Sequence, residues 1–135
     1  MNQSDRTQAS PYAEPSRRAP GVLFRVGWWV LVVLTALLVA NHALGIATFA
    51  TSDDERALFL IFLALGVLSL VVLLIPYRRL ERWSWWATWI PVGATASPIV
   101  LFPIDEVVAF YVGVAVVMAA AQLMTLRAFE LRQSA

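Results

Sequence analysis

The sequence predicts an all-α integral membrane protein, a four-helix bundle whose N- and C-termini both lie in the cytoplasm. Three observations lead to this prediction: the apolar composition, four long apolar runs and the placement of arginine. Hydrophobic residues make up 60% of the 135 residues, and the mean hydropathy is +0.72. A soluble domain typically contains about 45–50% apolar residues. A soluble protein of this size has too little interior to bury the excess, whereas a lipid bilayer accepts it.

Four apolar runs predict four membrane-spanning helices, at about residues 22–50, 56–77, 83–102 and 106–127. Each run reaches the roughly 20 residues that a helix needs to cross a ~30 Å hydrocarbon core. Helix is the expected form because backbone polar groups exposed to lipid must be paired within their own segment. Residues 22–127 thus form the transmembrane domain. Residues 1–21 are polar and contain several prolines, which predicts a disordered cytoplasmic tail, and residues 128–135 form a second cytoplasmic tail.

The arginines predict the orientation of the spans. All of them except Arg56 fall on one side of the four predicted helices. Loops on the cytoplasmic side of a membrane carry an excess of arginine and lysine. The N-terminus, the loop between spans two and three, and the C-terminus are therefore expected in the cytoplasm, which makes the chain a multi-pass protein of the inner (plasma) membrane. The arginines on this side are Arg6, Arg17, Arg18, Arg25, Arg78, Arg79, Arg82, Arg127 and Arg132.

Tryptophan follows the same pattern as arginine. All six tryptophans lie at or near the predicted cytoplasmic ends of the spans. Indole favours the headgroup level of a membrane, where the ring is in an apolar environment and the N–H is hydrated. We interpret these residues as interface anchors. They are Trp28, Trp29, Trp83, Trp85, Trp86 and Trp89.

Small residues on three spans predict how the helices pack. Lipid supplies no hydrophobic drive between helices, so association depends on close approach and on polar contacts. We expect the small-residue faces to form either the interior of the bundle or a seam between copies, and the sequence does not separate the two. The residues are Ala36, Ala40, Ala43 and Ala47 in the first span, Gly93 and Ser97 in the third, and Ala109, Gly113, Ala115 and Ala119 in the fourth.

Two prolines and one glutamine add to this packing prediction. Pro91 and Pro98 lie inside the third span. Proline removes a helical hydrogen bond and clashes with the preceding turn, so this span is expected to bend or to unwind locally between Thr95 and Pro98. Gln122 shares a face with small residues of the fourth span, which predicts a hydrogen bond between helices.

Several common kinds of functional site are excluded by composition. The chain has no cysteine and a single histidine, His42, which excludes thiol chemistry and a multi-histidine metal site within one chain. No glycine-rich phosphate loop, G-x-S-x-G or H-E-x-x-H pattern is present. The net charge of +1 provides no strongly basic surface for nucleic acid. We therefore assign no catalytic residue, no metal site and no cofactor, and expect no nucleic-acid partner.

The candidates for a polar site are His42, Asn41, Asp105 and Glu106, which all fall toward the predicted outer ends of the spans. An ionisable group inside a span is a functional hypothesis by default, and carboxylates with an imidazole suit a cation or a proton. The competing interpretation is helix capping. Ser52–Glu55 has the S-x-x-E spacing of a capping box, and Asp105 suits the N-cap of the fourth span. We favour capping for the acidic residues and keep the outer site as an alternative.

The segment Tyr77-Arg78-Arg79-Leu80-Glu81-Arg82-Trp83-Ser84-Trp85-Trp86 resembles the basic-loop-then-tryptophan junction of small, uncharacterised four-span bacterial membrane proteins. The general layout is similar to that of DoxX-like proteins. This resemblance implies a four-helix membrane bundle and assigns no functional residues. The small multidrug exporters also have four spans, but they depend on a glutamate in the first span, where this chain has no acidic residue.

Three functions are compatible with the sequence. The favoured one is an interaction, assembly or membrane-support role, because small-residue faces and interface anchors suffice for it. The partners would be the lipid bilayer and either a second copy of the chain or another membrane protein. A small transporter or ion-linked carrier with a site at the outer mouth is the first alternative. A membrane enzyme or a quinone-associated subunit is the second.

Overall fold

A computed structural model describes residues 21–101 and 103–133, and in this part of the chain all regular secondary structure is helical. The all-α prediction is therefore confirmed. The predicted N-terminal tail lies outside the described residues except for Gly21. Three helical segments, Val22–Thr48, Asp53–Tyr77 and Glu106–Arg132, are long and apolar enough to cross a membrane.

Helix α1 (Val22–Thr48) is followed by a short loop and by helix α2 (Asp53–Val72), which begins with a capping box. The Ser52 side chain accepts a hydrogen bond from Glu55 N at 3.2 Å, and Glu55 Oε2 accepts one from Ser52 N at 3.2 Å. Both side chains satisfy N–H groups that have no partner in the first helical turn. The capping interpretation of Ser52–Glu55 is confirmed.

At its predicted cytoplasmic end, α2 continues into a π-helical turn, Leu73–Tyr77, which contains Pro76. The chain then closes as a Schellman motif: Leu80 N donates to Tyr77 O at 2.9 Å, and Glu81 N donates to Pro76 O at 3.1 Å. Leu80 takes the left-handed position of this motif with φ 58°, where glycine is the usual residue. This turn directs the chain back toward the third predicted span.

The third predicted span is divided into α3 (Arg82–Ala87), α4 (Trp89–Ala96) and α5 (Pro98–Leu101). The break predicted between Thr95 and Pro98 is confirmed at Ser97. Pro98 has no N–H to donate to the carbonyl of Ala94, and Ser97 bonds that oxygen instead, through N at 3.3 Å and Oγ at 2.8 Å. The third predicted span is thus a series of three short helices, and at the second break Ser97 bonds the carbonyl that Pro98 leaves free.

The last helix, α6 (Glu106–Gln133), is the longest and runs beyond the predicted span end at residue 127 into the predicted tail 128–135. Its first turn is capped by Asp105, whose Oδ1 accepts a hydrogen bond from Val108 N at 2.8 Å. The N-cap prediction for Asp105 is confirmed. Helix α1 packs against α2 and α6, while α4 packs mainly against α6.

The core contains Phe24, Leu31, Leu73, Tyr77 and Met118, each at most 5% exposed. Close approach of α1 and α6 depends on a glycine, since a Cβ at Gly27 would lie 2.6 Å from Ala121 O. Much of the remaining surface is apolar and exposed. A surface of this kind suits lipid and is unfavourable in water.

Some of the small residues lie in the bundle interior and others lie on its surface. Ala115 is buried, as expected for the bundle interior. The alanines of α1 are all exposed and lie opposite the residues that α1 buries, and Gly93, Ala109 and Gly113 are exposed as well. Of the two predicted environments, the bundle interior is therefore ruled out for the α1 alanines, and the seam between copies stays a prediction. The α1 residues concerned, called here the alanine face, are Ala36, Ala40, Ala43 and Ala47.

Candidate functional site

His42 is only 7% exposed and lies among aromatic rings of α2 and α6. Its ring stacks on Phe62, with centroids 5.4 Å apart, and also neighbours Phe59 at 6.0 Å and Tyr111 at 6.2 Å. Nδ1 lies 2.6 Å from Leu38 O. Because a carbonyl oxygen only accepts, this bond places the proton of the neutral ring on Nδ1 and leaves Nε2 as an acceptor.

An open cleft of about 450 Å³ lies beside His42 at the predicted outer end of α1 and α6. Asn41 and Glu106 both line it, so the structure brings together two of the four candidate residues. Asn41 Nδ2 donates to the hydroxyl of Tyr111 at 3.0 Å. The other lining residues are apolar or aromatic, with Gly45, Phe49, Phe59, Val107 and Phe110 forming the walls.

His42 and Asp105 do not line this cleft. His42 lines a second, smaller and partly open cavity of about 30 Å³ between the helices, and Asp105 is engaged in capping α6. The described residues include no group of three or more His, Asp or Glu side chains arranged to hold a metal ion. The four candidate residues therefore do not form one cluster: Asn41 and Glu106 share the cleft, and His42 faces the interior.

A buried polar network joins three helical segments near the predicted cytoplasmic side. The Tyr77 hydroxyl lies 3.2 Å from Gln122 Oε1 and also bonds Thr125. Gln122 Nε2 donates to Trp85 O at 2.6 Å. All three side chains of the network, Tyr77, Gln122 and Thr125, are 0% exposed. The hydrogen bond between helices predicted for Gln122 is confirmed, while the role of Tyr77 was missed because the sequence placed it beside interfacial tryptophans.

The tryptophans occupy two environments. Trp29, Trp83 and Trp86 are more than half exposed, as expected of interface anchors. Trp28 and Trp85 lie in the core instead, where their indole N–H groups donate to Leu73 O at 2.8 Å and to Gln122 O at 3.3 Å. The buried Nε1 of Trp89 has no partner within the described part of the chain. Three of the six tryptophans thus have the exposure expected of anchors, and the anchor role itself stays a prediction.

Comparison of the chain with protein-family models, with curated proteins and with solved structures gives no match. Its class is therefore defined by the fold. Three apolar helices of membrane-spanning length, with an exposed apolar surface, define a membrane-embedded protein.

Proposed function

We propose that this protein is a four-span protein of the inner membrane with an assembly or interaction role, and that the alanine face of α1 is its contact surface. Arginine placement supports a cytoplasmic location for both termini and for the loop at Arg78–Arg82. The broken segment α3–α5 supplies the fourth crossing beside three continuous helices. The DoxX-like layout stays a prediction.

The single observation that carries the assembly role is the outward position of the alanine face. Its residues recur every three or four positions and are all exposed. Larger exposed residues, Val33, Leu37 and Leu44, flank the face on one side. Small residues between larger ones let a second helix approach closely, and the resulting van der Waals contact drives association in lipid. Contact with lipid alone does not favour small residues aligned on one exposed face of a helix.

Cysteine cross-linking in native membranes tests this proposal. The chain has no cysteine of its own, so each introduced thiol reports on one position. We expect Ala43→Cys, on the alanine face, to form a disulfide-linked dimer on mild oxidation. The matched control is Ala64→Cys, an exposed alanine on α2, which is expected to remain monomeric. A bulky Ala43→Leu substitution should lower the dimer fraction of the otherwise unchanged protein on native mass spectrometry.

The outcomes separate the two kinds of partner. A homodimer through residue 43 supports self-assembly. A bismaleimide adduct of Ala43→Cys with one defined membrane protein, absent for Ala64→Cys, supports an interaction role with that protein. Equal cross-linking at the two positions, or none at either, contradicts the proposal.

The outer cleft favours a second candidate function, the binding of a small amphipathic cation at the outer face. A volume of about 450 Å³ falls within the roughly 300–1,000 Å³ of small-molecule sites. Glu106 provides one negative charge, and Phe49, Phe59 and Phe110 provide aromatic faces, which attract organic cations. Within the described part of the chain, no basic residue lines the cleft.

Two isosteric ions test this second candidate. Tetraphenylphosphonium and tetraphenylborate have the same shape and opposite charge, so shape and hydrophobicity are matched. We expect the cation to bind more tightly to the purified protein in nanodiscs, and Glu106→Gln to weaken its binding about five- to tenfold. Asp54→Asn removes an exposed carboxylate outside the cleft and should leave binding unchanged. Equal binding of both ions, or equal effects of the two variants, would rule the cation site out.

A further inference from the structure

Thr35 differs from the other helical threonines and serines in how its hydroxyl is bonded. Thr48, Ser69 and Thr95 each donate to the carbonyl four residues earlier, all at 2.7 Å. This is the usual way in which a hydroxyl inside a helix is satisfied. Thr35 Oγ1 has no partner among the described residues, although the residue is only 2% exposed. A buried hydroxyl without a partner is unfavourable, so this group indicates a ligand.

The hydroxyl belongs to a residue that lines the partly open cavity of about 30 Å³ between α1, α2, α4 and α6. The same cavity is lined by two other polar residues, His42 and Thr95, and otherwise by apolar residues. A water molecule needs at least about 10–15 Å³ and two or more polar partners. The cavity meets both conditions and has room for one or two waters.

The neutral His42 ring keeps one nitrogen as an acceptor. Its Nδ1 is occupied by the bond to Leu38 O, so Nε2 is the ring nitrogen that is left for a ligand. Among the described residues no Asp, Glu, Lys or Arg lines the cavity, and the rings packed on His42 carry one titratable group, the Tyr111 hydroxyl, which is bonded to Asn41. Water is therefore the ligand class that suits both Thr35 Oγ1, as donor or acceptor, and Nε2, as acceptor.

We propose that this cavity is a water site within the membrane, and that its water hydrogen-bonds Thr35 Oγ1 and Nε2 of His42. Thr35 and His42 lie two turns apart on α1, about 10 Å along the helix axis, so two waters in a chain span the distance better than one. The Nδ1–H bond to Leu38 O keeps the ring in place.

Solid-state NMR of the full chain in lipid vesicles tests the proposal, because labelled histidine gives signals from one residue only. In the neutral state we expect a protonated Nδ1, an unprotonated Nε2, and magnetisation transfer from water to the ring. Thr35→Val removes the hydroxyl at nearly constant shape and should reduce the water transfer at least twofold. Thr48→Val is the matched control on the same helix, since the Thr48 hydroxyl is bonded to its own backbone, and it should change nothing.

A third variant separates loss of water from loss of folding. Thr35→Ser keeps the hydroxyl and is expected to retain the water transfer. A proton on Nε2 in the neutral ring, an absence of water transfer in the unmodified protein, or equal transfer in Thr35→Val and Thr48→Val would each overturn the proposal.

Discussion

Replacing Tyr77 by phenylalanine isolates the contribution of the buried polar network to stability. The change removes one hydroxyl and keeps the ring, so the packing on Phe24 (centroids 6.1 Å apart) and on Phe129 (5.0 Å) is retained. The hydroxyl bonds both Gln122 and Thr125, but its single proton serves one of them at a time. The measured change therefore reports on hydrogen bonding within a site that is 0% exposed at Tyr77.

The expected loss of stability depends on which hydrogen bonds Gln122 and Thr125 keep after the substitution. Gln122 Nε2 still donates to Trp85 O at 2.6 Å, and Thr125 Oγ1 still donates to Gln122 O at 2.6 Å. In soluble proteins an unsatisfied buried partner costs about 1–3 kcal/mol, whereas hydrogen bonds between membrane helices average about 0.6 kcal/mol and reach about 1.7. Because the Thr125 proton is donated to Gln122 O, the Tyr77 hydroxyl makes one hydrogen bond at a time, as donor. Removing it in Tyr77→Phe should lower the free energy of unfolding by about 0.5–1.5 kcal/mol.

Steric trapping or reversible unfolding in mixed micelles measures this free energy. Tyr111→Phe is the matched control, because the Tyr111 hydroxyl accepts one hydrogen bond from Asn41 at the exposed cleft, and it should cost less than about 0.5 kcal/mol. Equal effects of the two substitutions would refute the reasoning, since they would mean that burial of the network adds nothing to its stability.

Three further predictions concern other parts of the molecule. Gly27→Ala should destabilise the bundle by about 1–3 kcal/mol in the same unfolding assay, because its Cβ would lie 2.6 Å from Ala121 O. Gly93→Ala, where a Cβ meets nothing within 4 Å, should be neutral or stabilise by up to about 1 kcal/mol. If Gly93→Ala destabilised the bundle more than Gly27→Ala, the approach of α1 to α6 would be looser than described. Ser52→Ala should cost about 0.5–2 kcal/mol by removing the cap of α2, and an unchanged unfolding free energy would contradict that role. A membrane-impermeant maleimide should label Asp54→Cys in intact spheroplasts and Arg79→Cys only after lysis, and the opposite pattern would invert the proposed topology.

Local features of the fold followed from the sequence because their causes are local. The capping box at Ser52–Glu55 and the N-cap at Asp105 are formed within one helical turn, so residue spacing was sufficient to predict them. The break at Ser97 follows from the missing N–H of Pro98. Membrane-spanning length and apolar character were likewise evident from composition and run length.

The inward faces of the helices were not predictable in the same way. In a soluble protein an apolar stripe marks the face that packs inward, but in lipid the outward face is apolar too. Small size was therefore taken as the mark of a contact between helices, either inside the bundle or between copies, and it could not show that the alanine face of α1 lies outward. Trp28 and Trp85 are turned inward by hydrogen bonds to backbone carbonyls of other helical segments, which no spacing within one segment indicates.

The sequence by itself determined that the chain is helical and apolar enough for a membrane, where its helices are capped, and where the third span breaks. Only the tertiary structure decided that Asn41 and Glu106 share a cleft, that His42 and Thr35 line an inner cavity, and that Tyr77, Gln122 and Thr125 form one network. The reason is physical: capping and breaking act over one turn of one helix, whereas a cavity or a network exists only once several helices fix their rotation against each other.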